Sequence, residues 1–116
     1  MTSSVPTISL GDLEKFLKTD KLLVMEFMSS TSDPCKFMKP KLDSIANEKG
    51  HIADFCALDI DNKDIKRFAQ RFRVEALPAF LLVHKRWIKK RVVGVDQDEL
   101  KKAIDNTNEQ IRNKSA

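Results

Sequence analysis

At 116 residues, with 41% hydrophobic and 33% charged side chains and a net charge of +4, the chain has the make-up of one globular domain. It is too short for two domains, and folding should bury about two thirds of the unfolded surface. No apolar run approaches the roughly 20 residues that span a bilayer, so no membrane helix is expected. The opening Met1-Thr2-Ser3-Ser4-Val5-Pro6 has no basic segment followed by a long apolar core, and a cytoplasmic location is the default expectation.

In chain order, residues 1–4 are expected to be a flexible N-terminus, 5–112 one domain and 113–116 a flexible C-terminus. Val5 to Leu10 predicts a short first strand, and Asp12 to Leu17 a helix with Leu13, Phe16 and Leu17 on one face. Leu22 to Met28 is apolar throughout except for Glu26, the pattern of a strand covered on both faces. The next helix is predicted from about Pro34 to Lys49, with Ser32 or Asp33 as its cap and Gly50 at its exit. Pro40 inside it should kink it. Ile52 to Ile60 reads as a strand, and Asp59-Ile60-Asp61-Asn62 as the cap of a helix carrying Ile65, Phe68, Ala69 and Phe72.

Ala79 to Val83 and Trp87 to Val93 then form a predicted hairpin about His84-Lys85-Arg86, which Gly94 ends. Pro78 opens a strand at a tight turn, a place that accommodates a cis peptide bond. Asp96 to Ile111 predicts a last helix with Leu100, Ala103, Ile104, Thr107 and Ile111 inward. This order, βαβαβαββα, implies an α/β fold in three layers, α/β/α, with a central mixed five-stranded sheet and four helices.

The stretch most suited to chemistry is Ser29 to Met38, where a buried strand feeds a helix N-terminus. A cysteine there feels the partial positive charge of the helix end, which favours a thiolate. Cys35 holds such a place, but Ser32 stands three residues before it. Disulfide turnover by one chain needs one thiolate to attack and a second thiol to release the mixed disulfide. A serine hydroxyl does not attack without a positioned base, and no histidine is near in sequence. Ser32 therefore reads as a helix cap, Cys35 as a small half-buried side chain at a helix start, and Cys56 as core. Glu26 is the residue that packing explains least: either it is protonated or water reaches it.

His51 and His84 lie far apart and form no metal site with the two cysteines; neither metal nor cofactor is expected. The basic groups Lys63-Lys66-Arg67-Arg71-Arg73 and Lys85-Arg86-Lys89-Lys90-Arg91 read as solvated faces. Nucleic acid is not the expected partner, since phosphate affinity also needs a docking element and aromatics.

Taken together, Glu26-Phe27, Ser32-Asp33-Pro34-Cys35-Lys36, Pro40, Asp59-Ile60-Asp61, Val74-Glu75-Ala76-Leu77-Pro78-Ala79-Phe80 and Val93-Gly94 resemble thioredoxin in order and spacing, over residues 5 to 112. The chain is most similar to the h-type thioredoxins of plants, whose Val-Glu-Ala-Met-Pro-Thr-Phe segment carries a cis-proline. The resemblance implies that Cys35 corresponds to the resolving cysteine and Ser32 to the nucleophilic one. Thr31 stands for the family's tryptophan and Asp33 for its glycine or proline. Glu26 matches the buried acid that assists proton transfer, and Ala57 replaces the lysine that often partners it. Such an acid, buried and unpaired, should have its pKa raised. These departures come together and imply an atypical member without dithiol reductase activity, hence not an enzyme of that kind.

What would remain is the family's client surface, a shallow groove of Thr31, Ser32, Asp33, Pro34, Ala76, Leu77, Pro78, Gly94 and Val95, where an extended peptide pairs with backbone near the cis-proline. The leading expectation is a monomeric, chaperone-like or regulatory protein that binds clients there. The alternative is a monothiol oxidoreductase forming mixed disulfides through Cys35.

Overall fold

The computed structural model describes residues 5–115; the expected flexible N-terminus, residues 1–4, lies outside them. Four helices and four strands alternate as α1 (Leu10–Leu17), β1 (Leu22–Met28), α2 (Asp33–Lys49), β2 (Ala53–Asp59), α3 (Lys63–Arg71), β3 (Ala79–His84), β4 (Trp87–Val93) and α4 (Gln97–Ser115). The sheet order is β2-β1-β3-β4, parallel between β1 and β2 and antiparallel elsewhere.

β1 sets the layers because its side chains alternate. Leu22 and Val24 join Met38, Leu42 and Ile45 of α2 and Leu100 and Ile104 of α4 in one apolar cluster. Leu23, Met25 and Phe27 join Leu13 of α1 and Ile65 and Ala69 of α3 in the other. Thus α2 and α4 cover one face of the sheet and α1 and α3 the opposite face, the expected three-layer sandwich. Cys56 lies in the α1/α3 cluster, fully buried. Ion pairs from Lys49 to Asp105 and from Lys101 to Glu48, each at 3.0 Å, clasp α2 to α4.

The sheet has four strands and not the five expected. Val5 to Leu10 makes one parallel bridge, Thr7 opposite Ala57, with the Ala57 N–H donating to the Pro6 carbonyl at 2.8 Å and the Ile8 N–H donating to the Ala57 carbonyl at 2.9 Å. Pro6 has no N–H to extend the ladder. Ser9 already caps α1, its Oγ accepting from the Asp12 N–H at 3.3 Å, so the helix starts at Leu10 rather than at Asp12. α2 is one helix that continues through Pro40. α4 is capped by Asp96, whose Oδ1 accepts from the Glu99 N–H at 3.0 Å, and it runs past Ile111 to Ser115. Residues 113–115 of the expected flexible C-terminus belong to this helix, and residue 116 lies outside the described residues. No helix among the described residues is long and apolar enough to cross a membrane.

Candidate functional site

Strand register brings the candidate residues to one end of the sheet. Met28 stands opposite Asp59, Phe27 opposite Ala79, and Ala79 opposite Val93. The loops after β1, β2 and β4 and the segment before β3 therefore emerge together, carrying Thr31 to Pro34, Asp61, Gly94 to Val95 and Ala76 to Pro78. Thr31, Asp33, Pro34, Ala76 and Val95 are exposed; Ser32, Leu77 and Gly94 are half-buried; Pro78 is buried. The Leu77–Pro78 bond is cis. The Gly94 N–H donates to the Pro78 carbonyl at 3.0 Å, and Gly94 has φ of +111°, a conformation open to glycine at little cost. No hydrogen bond engages the backbone of Ala76 or Leu77 among the described residues.

Ser32 caps α2. Its Oγ accepts from the Cys35 N–H at 3.4 Å and its carbonyl accepts from the Lys36 N–H at 3.0 Å. With Pro34 in the first turn, where no N–H is needed, the sequence Ser-Asp-Pro starts a helix by ordinary capping chemistry. Cys35 is 4% exposed. It lines a cavity of about 230 Å³ between α2 and the sheet, shared with Glu26, Ser29, Lys39, Asp43 and Ala57.

Glu26 is 6% exposed and follows the β1 alternation onto the α2 side. Burial raises its pKa from 4.5 to about 7; Lys39 nearby opposes the rise and Asp43 adds to it. Lys39 itself lies 3.7 Å from Asp43, one turn along α2, and no ion pair reaches Glu26 among the described residues. Ala57, opposite Glu26 in register, offers no charge. The expectation of a raised pKa holds: burial keeps the acid protonated over much of the acidic range, and its side chain lines the cavity. Burial likewise pushes the Cys56 thiol up, to about 12.

The sequence reading missed the group that fixes this loop. Ser29, buried at the end of β1, places its Oγ 3.0 and 3.1 Å from the two carboxylate oxygens of Asp61. Its one proton goes to that carboxylate, so it accepts from the Thr31 N–H at 3.3 Å and from the Thr31 hydroxyl at 2.9 Å. Ser30 adds a bond to Asp61 at 3.4 Å. The signal available in the sequence was a run of hydroxyl residues after one parallel strand and an acid after its neighbour. Among the described residues no cluster of His, Cys, Asp and Glu could hold a metal ion.

Known proteins resemble this chain in sequence and in fold. Thioredoxin H2-1 of Oryza sativa subsp. japonica is 38% identical over 87 residues, which cover 75% of this chain and 61% of that relative. The chain thus spans less than two thirds of that relative's length. An H-type thioredoxin of Fagopyrum esculentum is 36% identical over 90 residues, 75% of each chain. The crystal structure of a Nicotiana alata thioredoxin superposes with a TM-score of 0.82 at 30% identity, covering 92% of this chain and 95% of that one. The profile described as Thioredoxin matches residues 4–106. Over nearly its whole length, therefore, the chain belongs to the thioredoxin family, with similarity to the h-type thioredoxins of plants.

Proposed function

We propose that this protein is an atypical, redox-inactive member of the family that works by binding client proteins in the groove formed by Thr31 to Pro34, Ala76 to Pro78 and Gly94 to Val95. The observation that carries the reading is the use of Ser32 as a helix cap beside a single buried thiol. Cys35 has no second thiol at this end of the sheet, because Cys56 sits in the core on the opposite face. One cysteine can form a mixed disulfide but cannot resolve it without an external thiol.

Client binding is supported by the free backbone of Ala76 and Leu77. An extended segment can pair with those groups in the manner of an added strand, and the exposed loops on either side supply side-chain contact. Neither step uses a thiol. The role that fits is a chaperone-like holdase or a regulatory interaction module, acting as a monomer on exposed segments of other proteins in the cytoplasm.

The test is light scattering from a heat-aggregating client that contains no cysteine, with the parent protein and its Cys35→Ser variant compared. Equal suppression by both is the expected result. Suppression lost in Cys35→Ser would contradict binding without the thiol, since a client lacking cysteine can form no mixed disulfide and the loss would trace to the Cys35 site itself; suppression by neither would remove the holdase role.

A further inference from the structure

A second surface lies along β4, which ends the sheet order and has β3 on one side only. Among the described residues, one row of its backbone N–H and C=O groups therefore has no partner strand. Six of its seven residues are exposed, Val92 being the exception. Trp87 is 73%, Ile88 41% and Val93 46% exposed. Between these apolar ends stand Lys89, Lys90 and Arg91, with Lys85 in the turn before, and no acidic residue occurs from 85 to 95.

The charges are mostly unspent. Arg86 is held by Glu14 of α1, and Arg91 reaches the Arg73 carbonyl at 3.5 Å. No carboxylate pairs with Lys85, Lys89 or Lys90 among the described residues. The strand is supported from behind: Val92, opposite Phe80, sits in the apolar cluster of α2 and α4. Arg91, opposite Leu81, and Val93, opposite Ala79, turn to the other face of the sheet.

We propose that the outer edge of β4 is a docking site for an extended acidic segment of a partner protein, which joins the sheet as a strand beside β4. Backbone pairing along the open edge supplies affinity, and acidic side chains opposite the lysines supply selectivity. The same lysines repel a second copy of β4, so the occupant is a chain of opposite charge and not this protein itself. A single nucleic-acid strand fits less well. It has no use for an unpaired peptide edge, and the surface offers one aromatic ring where stacking needs several. The site borders the groove through Gly94 but requires neither Ser32, Cys35 nor Pro78, so it stands or falls separately from the client-binding reading.

Trp87 is the only tryptophan, and its emission reports on this edge directly. The intact protein is titrated with a synthetic peptide of alternating Glu and Val at low ionic strength. The expected result is a saturable blue shift that weakens as salt is added. A Lys89→Glu/Lys90→Glu variant should lose about tenfold or more in affinity while keeping its far-UV circular dichroism; if it does not fold, the Lys89→Gln/Lys90→Gln pair is used. The same peptide with alternate amides N-methylated should not bind. Three results overturn the proposal: no saturable change, equal binding of the N-methylated peptide, or tighter binding of oligothymidylate than of the acidic peptide.

Discussion

At the scale of single residues, Glu26 gives the sharpest consequence. Its pKa in the folded protein, about 7, lies above the 4.5 of an ordinary glutamate, first because of burial. Between those values the native state holds a proton that the unfolded chain releases, so stability falls as pH rises through that window. Glu26 costs nothing of this kind below about pH 4.5, and above pH 7 the penalty is on the order of 3 kcal/mol. Glu26→Gln, which resembles the neutral acid in shape, should match the parent near pH 5 and exceed it in stability at pH 8. Denaturant midpoints at the two pH values check this, and identical pH profiles for the two proteins would contradict it. The acid's burial was legible in the apolar run around it. Lys39 and Asp43 were not, because only the packing of α2 on the sheet brings that helix face over Glu26.

Elements show how local rules win or lose. The Ser32 cap was readable from Ser-Asp-Pro alone, and Ser32→Ala should cost about 1 kcal/mol of stability, measured by urea unfolding, since the N–H of Cys35 then loses its acceptor. The missing first strand was not readable from its apolar pattern. Pro6 and the Ser9 cap compete with that pattern, and they leave one bridge where a strand was expected. The hairpin was legible in position and in strain. Lys85 and Arg86 both adopt left-handed backbone, φ 49° and 73°, which side chains other than Asn, Asp and Gly disfavour. Lys85→Asn should therefore stabilise the fold by up to about 1 kcal/mol, read as a higher melting temperature; a lower one would show that the Lys85 side chain makes a contact worth more than the strain. Arg86 offers no such clean test, because its guanidinium is engaged with both oxygens of Glu14.

Across the whole molecule, the sheet order gathers at one end what the sequence spreads over 67 positions, from Ser29 to Val95. The resemblance to thioredoxin carried that gathering; the order of elements alone puts only the loops after the parallel strands β1 and β2 at a common end. Neither was enough to foresee the Ser29–Asp61 anchor, which depends on a register between β1 and β2 that only folding fixes. On the function proposed above, this end of the sheet has one usable thiol position, Cys35, and does not turn over a dithiol reaction. The most direct measurement is reduction of a small-molecule disulfide under multiple turnover, with the parent, Cys35→Ser and Ser32→Cys proteins side by side. The parent and Cys35→Ser should both stay at the uncatalysed rate, and Ser32→Cys, which supplies the second thiol beside Cys35, should rise above them. Turnover by the parent well above that of Cys35→Ser would contradict the claim.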